Sequence, residues 1–221
     1  MTHPLDTLCN VLPAPASLRD IFRVGNLAKQ SLVLTGPRSV GKTTTAKLVA
    51  ERLDLPYYDT DSLVNTGLGE RFSDALAPMK TGAPLPYLEA AMSKRRFDWI
   101  EEILQASCER LAASRSSHIL AAAGGAFSYA AVAEALHADA IVVGLVPSMD
   151  PSKSVQVLLE RERQRSHFRG VSNAELEQIC RAHVEQVFEL LRAHADDVLL
   201  VENDEPQAVT SKIISKHLSR L

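Results

Sequence analysis

Residues 36 to 44 read Gly-Pro-Arg-Ser-Val-Gly-Lys-Thr-Thr. Gly36, Gly41, Lys42 and Thr43 fill the fixed places of the pattern Gly-x-x-x-x-Gly-Lys-Ser/Thr. That spacing suits one kind of chemistry. A chain of phosphates must lie against bare backbone, and glycines let the N–H groups turn inward to form a nest. The helix that follows aims its positive end at the anion. Lys42 can reach the terminal phosphates and the Thr43 hydroxyl can hold magnesium, while Arg38, Ser39, Val40 and Thr44 complete the cradle.

Three further groups could work with this loop. Asp59 and Asp61 are two residues apart, so on extended chain both carboxylates would point to one side. One could order magnesium across from Thr43, and the other could accept a proton from an attacking hydroxyl. Asp61 could instead cap a helix over residues 62–65. Gly124-Gly125 could let a substrate approach the backbone, or could form a plain turn. The run from Arg161 to Gly170 carries four arginines, at 161, 163, 165 and 169. Arginines there could fold over a triphosphate, or could form a solvated helix end. Lys94-Arg95-Arg96 could meet an anionic substrate, or could be a solvated face.

The elements around these groups must hold them together. Ser31 to Thr35 is a short apolar run that feeds straight into the glycine loop, and Ala46, Val49, Ala50 and Leu53 then share one helical face. Strand, glycine loop, helix is the arrangement the motif needs. Leu55 to Tyr58 leads a second strand into Asp59, and residues 62–85 read as irregular, with several glycines and prolines. One long helix is expected from Pro86 to about Ser114, with Phe97, Ile100, Leu104, Cys108 and Leu111 on its stripe. Further strands are expected over 118–122, 140–146 and 198–201, and further helices over 129–136, 152–163, around 176–191 and over 206–218. Residues 17–29 suggest a short first helix. Strands that alternate with helices predict an α/β fold: a five-stranded parallel sheet flanked by helices, in three layers. Ligands of such sheets sit at the carboxyl ends of the strands. The glycine loop, the Asp59 to Asp61 group and Gly124-Gly125 all follow strands and should converge there.

The chain has 221 residues, 46% hydrophobic and 23% charged, with a formal net charge of −3. That allows one sizeable core and implies no bulk attraction to nucleic acid or membrane. Cys9, Cys108 and Cys180 are odd in number and far apart, which suggests idle thiols in a reducing compartment. No apolar run approaches a membrane span, and a cytoplasmic location is expected. Residues 1–16 read as an N-terminal extension, and 17–221 as one domain with a mobile lid at about 163–172.

Over roughly residues 30–218 the sequence resembles the shikimate kinase-like group of small P-loop kinases, within the nucleoside-monophosphate-kinase fold. Residues 36–44 are similar to that group's phosphate loop. Tyr58-Asp59-Thr60-Asp61 resembles its Asp-x-Asp element, which implies Asp59 for magnesium and Asp61 for the acceptor hydroxyl. Ala123-Gly124-Gly125 is similar to its substrate loop, with one glycine replaced. Arg165 best matches its lid arginine, and Val201 to Pro206 falls at its adenine-contacting loop, which implies Asn203 and Pro206 there. The chain also departs from the group. Asp98 stands where a carboxylate-binding arginine is expected, and Phe188 falls in the register of a second. Met79 to Leu85 and Arg165-Ser-His167-Phe168 resemble gluconate kinases instead.

The resemblance implies an ATP- and magnesium-dependent kinase acting on a hydroxyl of a small metabolite, as a monomer or homodimer. Lys42, Asp61 and Arg165 would carry the chemistry, and Arg96, Gly124 and Gly125 would line the acceptor side. The departures predict that shikimate is a poor acceptor. A sugar acid such as gluconate is the alternative acceptor. A nucleotide-binding regulatory protein with little catalysis is the alternative of another class.

Overall fold

The computed structural model describes residues 31–71, 86–114, 116–164, 170–201 and 204–218. The expected extension over 1–16, the helix over 17–29, Cys9, the stretch from Met79 to Leu85, Arg165 and Asn203 lie outside them.

Five short strands form one parallel sheet: β1 (Ser31–Thr35), β2 (Tyr57–Asp59), β3 (Ile119–Ala121), β4 (Ala140–Val146) and β5 (Asp197–Leu200). Their order is β2-β3-β1-β4-β5, so the strand that feeds the glycine loop lies in the middle. Leu32 is level with Ile119 on one side and Ile141 on the other. Alternation along the strands sorts side chains into two cores, one on each face. Leu34, Ile119, Ala121, Val143 and Leu145 join the first, and Val33, Leu120, Ala122 and Val142 the second.

Eight helices are described. Helix α1 (Lys42–Leu53) covers the first core with Ala46, Val49, Ala50 and Leu53. Helices α6 (Pro151–Arg163), α7 (Asn173–His194) and α8 (Pro206–Leu218) share that face, and α7 buries Leu176, Cys180, Val184, Val187 and Leu191 as the period predicts. Helices α2 (Thr60–Arg71), α3 (Pro86–Ser93), α4 (Phe97–Ala113) and α5 (Ala130–Asp139) cover the other face. The starts of α6 and α7 are sealed by side chains: Asp150 accepts from Ser152 N at the head of α6, and Ser172 accepts from Glu175 N at the head of α7.

Two expectations are overturned here. Residues 60–71 are helical, not irregular. The glycines there are contact points rather than breakers: a methyl group on Gly67 would sit 2.4 Å from Ile103 Cγ2 of α4. Gly67 lets two helices approach, while Val64 and Leu68 bury into the core. The long helix over 86–114 is two helices. It breaks at Arg95, whose φ is +54°, and Arg96 N bonds back to Ala91 O as in a helix-ending motif. A new start follows, and Phe97 is half exposed instead of joining the stripe. The Asn65 side chain of α2 accepts from the N–H groups of Tyr87 and Leu88, which fixes where α3 begins.

Arg95 pays the steric penalty of a left-handed conformation, roughly 1–2 kcal/mol for a residue with a Cβ. Arg95→Gly relieves it, and the freer unfolded chain cancels part of the gain. We expect a net stabilisation of about 0.5–1 kcal/mol, seen as a higher urea midpoint at unchanged slope. An unchanged or lower midpoint would show that the Arg95 side chain holds this corner by other contacts.

Candidate active site

The glycine loop leaves β1 at the middle of the sheet and opens α1 at Gly41, whose φ is +103°. No side chain caps the start of α1, so its first N–H groups face the loop. Gly36 has φ +143°, and a methyl group there would sit 2.2 Å from the Leu145 carbonyl oxygen of β4. Val40 is buried beneath the loop, Arg38 is exposed above it, and Thr43 and Thr44 are exposed in the first turn of α1. Lys42 Nζ donates to the carbonyls of Gly36 and Pro37, each at 2.9 Å.

Helix α7 and the end of α6 brace the loop from one side. Arg38 N donates to His183 Nε2 of α7 at 3.1 Å. Ser39, with φ +62°, donates through its hydroxyl to the buried Glu162 carboxylate, and its carbonyl accepts from Arg161 Nη1 at 3.2 Å. Arg161 therefore holds the loop backbone. His183 was not singled out by the sequence, although it lies three residues after Cys180 on the edge of the buried stripe. Burial first, and then the neighbouring Arg38 and Lys42 charges, push its imidazole down to about 4. It is neutral at pH 7, and since Nε2 accepts, Nδ1 carries the proton.

On the other side of β1 lies the acidic group. The expected extended geometry over Asp59 to Asp61 does not hold, because α2 begins at Thr60 and places Asp61 in its first turn. Nor does Asp61 supply the cap. Asp59 does: its Oδ1 accepts from Asp61 N at 3.0 Å and Ser62 N at 3.4 Å. Its Oδ2 accepts from Thr43 Oγ1 at 3.2 Å and from the Tyr57 hydroxyl at 3.1 Å. Alternation along a strand does operate here, but it pairs Asp59 with Tyr57 rather than with Asp61. Burial, and then the Asp59 charge, push the Tyr57 hydroxyl up. The same two causes, in the same order, raise the Asp61 carboxyl above its usual 3.8, while Lys42 and Arg38 pull it back. Asp61 thus shares an electrostatic site with the loop lysine.

Gly124 and Gly125 follow β3, which lies between β1 and β2. Ala123 N donates to the buried Thr60 hydroxyl at 2.9 Å, which ties this turn to the head of α2. A methyl group on Gly124 would sit 2.7 Å from both the Gly36 carbonyl oxygen and Val187 Cγ2, whereas one on Gly125 would meet nothing within 4 Å. Gly124 is a packing contact with the phosphate loop; Gly125 has the open side.

The remaining sequence candidates lie apart from these contacts. Arg96 bonds Asp98 twice, Nε to Oδ1 at 3.3 Å and Nη2 to Oδ2 at 3.2 Å, and its guanidinium lies 3.5 Å from the centre of the Trp99 ring. Those bonds hold the exposed Asp98 carboxyl below its usual range. Asp98 is thereby an ion-pair partner rather than a lone repelling charge. Phe188 is buried in the first core. Pro206 opens α8, which packs on α1. Cys108 and Cys180 are buried free thiols, and burial pushes Cys108 up to about 12. Among the described residues no helix is long and apolar enough to cross a membrane.

A family model described as shikimate kinase matches residues 38–83. A shikimate kinase of Alteromonas mediterranea is 26% identical to this chain over 85% of it and 96% of the relative. The solved shikimate kinase of Acinetobacter baumannii in complex with shikimate is 24% identical, with a TM-score of 0.64 over 87% of this chain and 94% of that one. A gluconokinase of Sinorhizobium meliloti is 18% identical, with a TM-score of 0.50 over 87% of this chain and 93% of that one, a likeness of fold alone. The chain is shikimate kinase-like in sequence and has a P-loop kinase fold, and these similarities support a small-molecule kinase.

The His183 contact has a consequence for stability. Its folded pKa, about 4, lies below the ordinary 6.5. Above pH 6.5 neither folded nor unfolded imidazole is protonated and the contribution is constant. As pH falls from about 6.5 to about 4 only the unfolded chain takes the proton, and stability drops by at most about 3 kcal/mol. Unfolding of wild type and His183→Gln across that window should show the wild-type advantage shrinking as pH falls. Parallel curves would remove His183 from the acid response.

Proposed function

We propose that the protein is an ATP- and magnesium-dependent phosphotransferase that acts on a hydroxyl of a small metabolite. The observation that carries the reading is the Thr43–Asp59–Asp61 cluster at the mouth of the phosphate loop, with Thr43 Oγ1 and Asp59 Oδ2 3.2 Å apart and Asp61 in the next helical turn. Lys42 and the loop N–H groups of Gly36, Ser39, Val40, Gly41, Thr43 and Thr44 bind the phosphates, and Arg38, whose N–H is engaged by His183, contributes through its side chain. Arg165 is assigned to the lid at about 163–172, and Asn203 and Pro206 to the adenine. Residues 17–221 make up the kinase domain behind an extension over 1–16, in a cytoplasmic monomer or homodimer.

The donors fit magnesium. Thr43 and Asp59 offer hard oxygens beside the phosphate site, and magnesium is usually held by one or two such groups together with phosphates and water. The described residues contain no group of three or more His, Cys, Asp or Glu that would suit a protein-only metal cage. Thr43 and Asp59 would hold the ion, which supplies charge neutralisation at the phosphate oxygens. Asp61 orients the acceptor hydroxyl and takes its proton at a carboxylate oxygen. The raised pKa suits that task, since a more basic carboxylate accepts a proton more readily. Lys42 turns from the Gly36 and Pro37 carbonyls to the phosphates and stabilises charge that grows on the transferring group.

The acceptor side supports a substrate other than shikimate. The arginines that would hold a carboxylate are replaced by Asp98 and Phe188, and Arg96 is engaged with Asp98 and Trp99. A buried carboxylate without positive partners costs several kcal/mol. Turnover of ATP with shikimate, gluconate and neutral cyclitols tests both points. We expect acceptor-dependent turnover with a neutral cyclitol and little with shikimate. Turnover with gluconate, which also carries a carboxylate, would favour the sugar-acid alternative and show that another group, such as Arg95 or Arg96 in a shifted pose, holds it. A shikimate specificity constant of about 10⁴ M⁻¹s⁻¹ or more would overturn the acceptor reading. Lys42→Ala should abolish transfer while leaving the fold intact, and near-normal turnover in that variant would overturn the kinase reading. Tight nucleotide binding by the wild type, with no acceptor-dependent turnover, would favour a regulatory protein.

Asp61 makes a separate prediction. A base must be ionised to work, so activity should fall as pH drops through the raised Asp61 pKa, above the ordinary 3.8. Asp61→Asn should cut the maximal rate on the order of a hundredfold, remove that acid limb and leave ATP affinity nearly unchanged. An equal loss of ATP affinity would put Asp61 on the metal instead.

A further inference from the structure

Asp59 is saturated with donors. A carboxylate offers about four acceptor sites, and Asp59 receives the Thr43 hydroxyl, the Tyr57 hydroxyl and the N–H groups of Asp61 and Ser62. Three of these come from parts any chain with this loop and strand end would have: a Thr or Ser of the loop and two N–H groups of a helix start. The fourth depends on residue 57 being a tyrosine. Tyr57 is on the same side of β2 as Asp59, one alternation earlier. Its ring is half buried against the first core, with the Lys47 ammonium of α1 5.6 Å from the ring centre. Ring and strand thus fix where the hydroxyl points. It donates to Asp59 Oδ2, the oxygen that also accepts from Thr43.

We infer that Tyr57 is a positioning residue for the magnesium site, acting through Asp59. The inference rests on the function proposed above. If Thr43 turns its oxygen towards a cation, Oδ2 loses that donor. The Tyr57 hydroxyl then remains on Oδ2 while two backbone N–H groups remain on Oδ1, and the carboxylate plane stays fixed. A phenylalanine at 57 would keep the packing and leave Oδ2 free to rotate out of place. Partners of this kind orient metal-binding carboxylates, and their loss typically weakens metal affinity by about 10–100-fold.

The test uses the full-length protein and Tyr57→Phe, which keeps the ring. Manganese, as a paramagnetic stand-in, is titrated into protein loaded with ADP, and free ion is read by electron paramagnetic resonance. Binding of ATP without metal is measured separately by calorimetry. We expect Tyr57→Phe to weaken manganese binding about tenfold or more, with metal-free ATP affinity unchanged. Asp59→Asn combined with Tyr57→Phe should bind manganese no more weakly than Asp59→Asn alone, because groups acting in one chain are not additive. Unchanged manganese affinity in Tyr57→Phe would overturn the inference and leave the kinase reading standing. So would fully additive losses in the double variant, or an equal loss of metal-free ATP binding. Wild-type protein that binds neither ATP nor manganese with ADP would overturn both.

Discussion

Between the Leu145 carbonyl of β4 and the turn at Gly124 there is room for one strand of bare backbone, and Gly36 supplies it. The two contacts are too close for a side chain on either glycine. They bring the ends of β3, β1 and β4 within van der Waals reach of one another, and the phosphate loop starts from that point. The further connections depend on it. Thr60 can reach Ala123, and Arg38 and Ser39 can reach His183 and Glu162, because the loop lies low against the sheet. The loop is held from α7 and α6 on one side, and on the other it packs against the Gly124 turn, which Thr60 of α2 ties down, so its shape is set before any ligand arrives.

Within that frame the charges are arranged unevenly. Asp61 sits where burial and Asp59 oppose its ionisation and Lys42 and Arg38 favour it. His183 is held neutral beside the same two cations. The positive charge of the site therefore stays on lysine and arginine, and the nearby imidazole serves as an acceptor that holds backbone. Glu162, almost completely buried, plays the matching role at Ser39.

Much of this was legible in the sequence. The central strands β1, β3 and β4 were readable because each is a short buried apolar run, and β5 is shifted by one residue at each end from its expected bounds. Helix α7 was readable because its buried stripe keeps one period through 22 residues. The failures have physical causes. Gly67 looks like a breaker until Ile103 is seen against it, and no local rule reports a contact with a residue 36 positions away (103 less 67). The break at Arg95 uses a left-handed residue that is not glycine, so no punctuation marks it. At the site, the alternation argument was sound but applied one step too late: it holds for Tyr57 and Asp59 and ends where α2 begins. His183 and Glu162 escaped notice because each is recognised only through the loop residue it touches.

The Lys42 side chain, bonded to the carbonyls of Gly36 and Pro37, has one more implication. The ammonium is already solvated, by the loop itself. An arriving anion does not simply meet a waiting cation; it must outbid two peptide dipoles, and a strongly hydrated point charge on a flexible stem gives up good partners only for better ones. A singly charged species such as chloride or acetate offers little advantage over a pair of carbonyls. A polyphosphate, with several formal charges spread along its length, offers a great deal. If the loop takes nucleotide as proposed, it would then sort visitors by how many charges they carry, ahead of any discrimination by sugar or base.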